Sequence, residues 1–143
     1  MTSSLVIDSL LRLCYTKSVI RIQYAVFLEN IDFDQAGRPT FKSPVTNLAT
    51  RDISAPLVLQ FPLFVTFIEG SPGIHQLHID IIGPSGGINS LPDFEFDWSE
   101  GKVSHGEVFA IKFEPDAIGL YTFRLTVDGE ASTEIPLPVI QQQ

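Results

Sequence analysis

The sequence predicts an all-β fold, an antiparallel sandwich of two sheets with about seven or eight strands. Apolar residues recur with a period of two along most of the chain, which is typical of strands with one buried face. Ten glycines and ten prolines provide turn residues between these segments. A length of 143 residues suits one domain with its own core, so we expect a single domain over residues 1–143. A closed barrel is the alternative architecture.

The first third of the chain has two apolar segments and one polar segment. Residues 5–14 fit a strand face or a helix stripe about equally well. Residues 19–29 are apolar on both faces, which predicts a central strand covered on both sides. Strict alternation divides their apolar residues into two faces, Val19, Ala25 and Phe27 on one and Ile20, Ile22, Val26 and Leu28 on the other. Residues 34–50 are polar and rich in turn residues, so we expect a mobile loop without regular structure.

The middle of the chain predicts four strands. Residues 57–68 and 75–82 are separated by a Gly- and Pro-containing turn and predict a β-hairpin, whose first strand we expect to offer an unprotected sheet edge. Residues 94–98 alternate aromatic with acidic side chains, which predicts one buried and one solvated face. Residues 107–113 alternate again and predict a further strand with its aromatic side chains inward.

The last third predicts a second hairpin. Residues 121–127 alternate apolar with polar side chains, and Asp128 and Gly129 follow as a favoured two-residue turn. The return strand contains Pro136 and Pro138, which lack N–H donors and so place it at a sheet edge or break it. We expect residues 141–143 to fray.

The segment before this hairpin resembles the tyrosine corner of immunoglobulin-like domains. Gly119 and Tyr121 form the Gly-x-Tyr that leads into a late strand, and in such corners the Tyr hydroxyl bonds to backbone upstream. Phe123 stands where antibody domains have a cysteine, so the inter-sheet disulfide of those domains is absent. The resemblance makes the predicted sandwich an immunoglobulin-like one.

Several segments together resemble a family of small uncharacterised bacterial proteins with an immunoglobulin-like β-sandwich. The segments that carry this resemblance are residues 5–28, 60–63, 72–75, 83–86, 119–123 and 127–130. The resemblance covers most of the chain and implies that residues 5–14 form a strand. Residues 32–56 depart from the family pattern because they are longer than expected there. The resemblance implies no known activity and no known site residues.

Charge and cysteine content exclude several classes of function. Nine basic against seventeen acidic residues give a net charge of -8, which disfavours nucleic acids and anionic membranes as partners. The one cysteine, Cys14, cannot form an intramolecular disulfide, and its apolar neighbours favour a buried small side chain over a nucleophile. The segment before Leu5 has no basic residues, unlike a secretory signal, so we expect a cytoplasmic protein.

The residues that could hold a metal ion or phosphate are few. His75 and His78 are three residues apart on a predicted strand, so they point to opposite faces and cannot easily share a metal. His105 lies in a predicted polar loop, and we interpret all three histidines as surface residues. Asp32, Asp34 and Gly37 match only part of a calcium loop and indicate a turn. Residues 83–87 are glycine-rich but lack the lysine and helix of a phosphate loop. We therefore expect no cofactor and no metal.

Two hypotheses about function remain open. The first is a non-catalytic module that binds a protein partner or assembles with itself, because eleven phenylalanines suggest more apolar surface than one core hides. The alternative is a carbohydrate-acting or other hydrolase that uses Asp93, Glu95 and Asp97, since paired carboxylates can act as acid and base. A ligand carrier with a closed cavity depends on the barrel architecture and is a minor possibility.

Overall fold

The computed structural model describes residues 19–50 and 58–141. All regular secondary structure in these ranges is β-strand. The ten strands are β1 (Arg21–Phe33), β2 (Pro39–Pro44), β3 (Leu48–Thr50), β4 (Leu59–Ile68), β5 (Gly73–Ile82), β6 (Ile88–Ser90), β7 (Phe94–Trp98), β8 (Ser104–Phe113), β9 (Gly119–Val127) and β10 (Ala131–Gln141). The predicted all-β class is confirmed. Within the described ranges there is no helix long and apolar enough to cross a membrane.

The strands form two sheets. The first has four strands in the order β2-β1-β4-β8. The second has six strands and runs β3-β10-β9-β5-β6, with β7 also paired to β5. All pairs are antiparallel except β3 with β10, which run parallel. The described part of the chain thus has more strands than the seven or eight predicted, because β2, β3 and β6 are short and carry little alternation.

The core lies between the two sheets. Alternate residues of β4, β5, β8 and β9 point into it. One residue from each of these strands illustrates this, because each is 0% exposed: Phe67, Ile79, Ile111 and Phe123. Aromatic rings from opposite sheets meet edge to face, as Phe27 and Phe123 do with ring centroids 4.8 Å apart. The inward faces predicted for residues 107–113 and 121–127 are therefore correct.

A β-bulge in β1 changes which of its residues face the core. The register against β4 shifts between Ile22 and Tyr24, so the alternation changes phase there. Ile20 and Phe27 consequently both join the core, although strict alternation assigned them to opposite faces. The prediction of a central strand is correct in strand order, since β1 lies between β2 and β4. It pairs with β4 over Arg21–Phe27 and with β2 over Leu28–Phe33, and Tyr24 is 42% exposed, so the strand is not covered on both sides along its length.

The predicted hairpin of residues 57–68 and 75–82 is wrong in its pairing. Both strands exist as β4 and β5, but β4 lies in the four-stranded sheet and β5 in the six-stranded sheet. Residues 69–72 therefore cross between the sheets instead of turning within one. The predicted free edge is wrong for the same reason, because β4 is hydrogen bonded to β1 on one side and to β8 on the other.

Residues 34–50 are not without regular structure. They contain β2, which forms a hairpin with β1, and β3, which pairs with β10. The prediction of a structureless segment is therefore corrected, and its mobility stays a prediction. Residues 5–14 lie outside the described residues, as do Cys14 and the last two residues of the predicted frayed tail; Gln141 is the final residue of β10.

The second predicted hairpin is confirmed as β9 and β10. Asp128 and Gly129 have φ values of 52° and 71°, as a two-residue turn with two left-handed positions requires. Pro136 and Pro138 lie in an unbroken β10, opposite Thr122 and Leu120 of β9. Over Ala131–Pro138 no other described strand pairs with β10, so both prolines lie at a sheet edge as predicted.

The hydrogen bonds expected of the Gly-x-Tyr segment are present where β9 begins. The Tyr121 hydroxyl accepts hydrogen bonds from the backbone N–H groups of Asp116 and Ala117, each at 3.1 Å. It lies 3.0 Å from Oδ1 of Asp116 and 3.1 Å from the carbonyl oxygen of Ala117, to one of which it donates. These contacts fix the chain that leads from β8 into β9.

Candidate functional site

A cleft of about 890 Å³ opens between the two sheets at one end of the sandwich. Its size is within the range of ligand pockets. One wall is the end of β8 with Ala110, Lys112 and Phe113, and the opposite wall is β6 with the loop that leads to β7. The floor is apolar and comes from Ile81 and Tyr121. The cleft exists because β6 has only three residues and does not close the gap between the sheets.

Strand β8 forms the edge of the four-stranded sheet beside this cleft. All ten of its residues pair with β4, from Ser104 opposite Ile68 to Phe113 opposite Leu59, without a shift in register. No other strand of the described ranges pairs with β8. Strand β8 has no proline and no bulge, the devices that commonly protect an edge, and Lys112 is its one lysine.

Charged side chains surround the mouth of the cleft. Lys112 lies 3.9 Å from Glu114 in an exposed pair. Asp116 is held by the Tyr121 hydroxyl, and burial of that hydroxyl, outweighing its hydrogen bonds from the backbone of Asp116 and Ala117, raises the pKa of Tyr121. The cleft therefore combines an apolar floor with a mainly acidic rim. This arrangement suits binding of an apolar group with basic neighbours.

The acidic residues predicted as a catalytic row lie on the outward face of β7. Asp93 precedes β7 at the rim of the cleft, and its Oδ1 is 2.6 Å from Nδ1 of His78. Glu95 is exposed and lies 3.5 Å from the Gln76 amide, and Asp97 is exposed as well. The aromatic face of β7 is turned to the core, as predicted, with Phe96 and Trp98 buried.

His75 and His78 point to opposite faces of β5, as predicted. His75 is buried, whereas His78 is on the outer face between two carboxylates, with its Nε2 2.8 Å from Asp80. The hydrogen bond that His78 donates to Asp93, with the one it donates to Asp80, raises the pKa of His78 against a smaller opposing effect of burial. In the described part of the chain no three His, Cys, Asp or Glu residues are placed to hold a metal ion.

Two histidines are not the surface residues that the sequence suggested. His105 is in β8 and not in a loop, and it is buried with its ring stacked on Phe96 at 5.4 Å. His75 stacks on Phe96 as well, at 5.6 Å. The polar neighbours of His105 in the sequence do not show whether its side chain is buried. The available signal is that His105 shares a strand face with Glu107 and the inward-facing Phe109.

The two glycine-containing motifs form turns. Asp34 accepts hydrogen bonds from the backbone N–H groups of Ala36 and Arg38 through Oδ1, at 2.9 and 2.8 Å, and closes the β1–β2 turn. The hydrogen bond from the Arg38 backbone, with those from its side chain and Ala36, lowers the pKa of Asp34. Residues 83–87 close the β5–β6 turn with a 2.8 Å bond from Gly83 N–H to the Gly87 carbonyl. Both motifs are explained by turn formation.

No family model matches the chain, and no curated protein matches it significantly.

Proposed function

We propose that this chain is a non-catalytic immunoglobulin-like β-sandwich module that binds a protein partner through β8. In this proposal an extended segment of the partner adds to β8 as a further strand of the four-stranded sheet. The observation that carries the proposal is the ten-residue edge of β8, which is regular along its whole length and borders the cleft at its end, from Ala110 to Phe113.

Strand order and the tyrosine corner support the immunoglobulin-like assignment. The order β10-β9-β5 beside β1-β4-β8 resembles the strand order of an immunoglobulin sandwich whose first sheet lacks its last strand. Tyr121 supports it further, because its hydroxyl bonds to backbone upstream at the start of a late strand.

In this proposal the cleft determines which partner segments bind, because a strand edge alone does not select among them. Main-chain hydrogen bonds along β8 would accept any extended segment, whereas side-chain pockets select among segments. Inward side chains of an added strand would lie in the gap between β8 and β6, on Phe94 and Phe113. We therefore expect the partner segment to place alternate apolar residues in the cleft.

Charge indicates what flanks those apolar residues. The chain carries a net charge of -8, and Asp93, Glu114 and Asp116 line the cleft against one lysine. A basic segment is attracted to this rim, whereas a second copy of the chain brings equal negative charge. A basic, alternating segment of another protein is thus the favoured partner, and a homo-oligomer paired through β8 is the other form of the same function.

The experiment combines sedimentation of the pure chain at tens of micromolar with selection from a library of ten-residue peptides. We expect enriched peptides that alternate apolar with basic residues, and loss of their binding in Ala110→Lys. Ala110 is on the exposed face of β8 at the wall of the cleft, where a lysine protects the edge and repels a basic segment. Leu120→Lys is the matched control, since Leu120 is 52% exposed on the outer face of the other sheet. A dimer that only Ala110→Lys dissociates would indicate self-assembly. The proposal is contradicted if the chain forms no dimer and enriches no peptides. It is also contradicted if binding survives Ala110→Lys.

The hydrolase that uses Asp93, Glu95 and Asp97 stays the alternative. Asp93 is the one of the three that lines the cleft. Any glycosidase activity detected in the pure chain should disappear when all three are replaced by alanine, and activity retained by that variant excludes these carboxylates.

A further inference from the structure

Two buried histidines from opposite sheets stack on the same phenylalanine ring, Phe96, on which Phe67 also stacks with ring centroids 4.3 Å apart. His75 of β5 and His105 of β8 stack on Phe96 of β7, with interplanar angles of 24° and 11°. Trp98 lies beside both, with ring centroids 6.2 Å from His75 and 6.1 Å from His105. Titratable side chains are rarely buried in a sandwich core without partners.

The hydrogen bonds of His75 determine its protonation state. Its Nδ1 is 2.5 Å from Oδ2 of Asp128, and its Nε2 is 2.7 Å from the carbonyl oxygen of Ser71. A carbonyl and an ionised carboxylate only accept hydrogen bonds, so both ring nitrogens must carry a proton. With an ionised Asp128, both hydrogen bonds can form together only in the imidazolium form of His75. The neutral ring would point a lone pair at one of the two oxygens.

The hydrogen-bond partners of His105 differ, because one of them is a donor and the other an acceptor. Its Nδ1 is 2.7 Å from the ammonium group of Lys102, which can only donate, and its Nε2 is 2.6 Å from Glu107. Nδ1 therefore accepts and Nε2 donates, which is the neutral ring. Both histidine rings contact Phe96, but only the hydrogen-bond partners of His75 favour the imidazolium form.

The charged groups around His75 come from three elements. Asp128 faces His75 from the β9–β10 turn and is hydrogen bonded to it, whereas Asp97 on the outward face of β7 acts on it through its charge alone. His105 of β8 stacks on the same Phe96 ring and has Lys102 and Glu107 as its own partners. Burial alone would lower the pKa of His75, but the hydrogen bonds to Asp128 and the Ser71 carbonyl, with the charges of Asp128 and Asp97, outweigh it and raise the pKa.

His75 joins two loops that are distant in sequence. Ser71 lies in residues 69–72, which cross between the sheets, and the backbone N–H of Asp128 also donates to the Gln76 carbonyl at 2.9 Å. Gly70 in the same crossover lies against the ring of Trp98. The imidazolium thus holds the crossover and the β9–β10 turn together at the end of the sandwich opposite the cleft.

We propose that His75 is a proton-operated latch that closes this end of the sandwich when protonated and releases residues 69–72 and the β9–β10 turn when it loses its proton. The latch is separate from the cleft, because His75 and Ile81 lie on the order of 20 Å apart along β5. Since the folded chain binds the proton more tightly than the unfolded chain, the stabilisation is complete below the ordinary value of 6.5 and is lost as pH rises through the raised pKa.

The test is an NMR titration of the imidazole nitrogens in the full chain with His78→Asn as background, because the pKa of His78 is raised too. We expect His75 to keep both protons above pH 6.5 and Asp128→Asn to lower its midpoint by roughly one pH unit or more. Asparagine suits the left-handed backbone of Asp128, so this variant keeps the turn. The unfolding equilibrium constant should rise up to about tenfold per pH unit while His75 titrates.

Two further measurements on the same samples report the release. Amide exchange of residues 70–72 and 128–130 should accelerate as His75 loses its proton, and the emission of Trp98, the one tryptophan of the chain, should change at the same midpoint. A His75 that is neutral at pH 6.5, or a midpoint that Asp128→Asn does not move, overturns the latch. Exchange that is independent of the titration overturns the release of the two loops.

Discussion

The two ends of the sandwich differ in how the space between the sheets is closed. At one end β7 pairs with the first half of β5 and turns Phe96 and Trp98 inward, where both are buried. At the other end β6 pairs with the last three residues of β5, and all of its own residues are exposed. The first end is filled by aromatic rings, and the second contains the cleft.

A short strand on one edge decides whether an end of the sandwich is filled core or an open cleft. Both β6 and β7 lie along the same edge of β5, so topology does not distinguish them. The difference lies in their side chains, because β7 has three alternating aromatic residues and β6 has one isoleucine, Ile88. The closed end adds buried aromatic surface to the core, and the open end leaves a cleft of about 890 Å³.

The largest effect should come from emptying the closed end. Trp98→Ala removes a side chain that is 2% exposed, and we expect a loss of about 3–5 kcal/mol in the free energy of unfolding from the cavity that remains. Ile88→Ala at the open end removes a side chain that is 59% exposed, and it should cost no more than about 0.5 kcal/mol. Urea unfolding followed by circular dichroism measures both, and equal costs would refute the contrast between the ends.

Two glycine-to-alanine substitutions test the same contrast, because they add a methyl group where Trp98→Ala and Ile88→Ala remove atoms. A Cβ at Gly70 would overlap the ring of Trp98, so Gly70→Ala should cost about 1–3 kcal/mol through displacement of that ring. Gly87 has no heavy atom within 4 Å of such a Cβ, and Gly87→Ala should stay within about 0.5 kcal/mol of the parent chain. Thermal unfolding of the two variants side by side decides the matter; a tolerated Gly70→Ala would show that the closed end is loosely packed.

The smallest expected effect concerns the corner that borders the cleft. Tyr121→Phe removes the hydroxyl that accepts from Asp116 and Ala117, and we expect a loss of about 1 kcal/mol, because water can replace part of these bonds. Slower amide exchange at these two residues in the parent chain than in the variant would locate the effect at the corner. An unchanged exchange pattern would mean that the hydroxyl does not hold the loop.

Residues whose burial follows from local alternation could be predicted from the sequence. Phe109, Phe123 and Trp98 face inward as expected, and Asp128 and Gly129 form the expected turn. In each case the signal lies within a few neighbouring residues, since the pleat of a strand and the dihedral angles of a tight turn are local properties.

The pairing of strands could not be predicted in the same way. Strands β4 and β8 have similar apolar alternation, yet β4 is central and β8 is an edge, because that choice depends on strands distant in sequence. The same reason explains the mistaken β4–β5 hairpin. The bulge between Ile22 and Tyr24 inserts one residue into β1 and so reverses the predicted face of the residues on one side of it. The burial of His105 depends on Phe96, which belongs to another strand. The candidate site is made of such non-local contacts and was missed.

The parallel pairing of β3 with β10 has a consequence for the order in which the chain folds. Leu48 lies opposite Val139, roughly ninety residues further along the chain. During synthesis on the ribosome β3 therefore has no partner until nearly all the strands described here have been made, and closing so long a loop is slow. Its three residues offer little surface for premature association in the meantime, so the brevity of β3 protects the nascent polypeptide against misassembly.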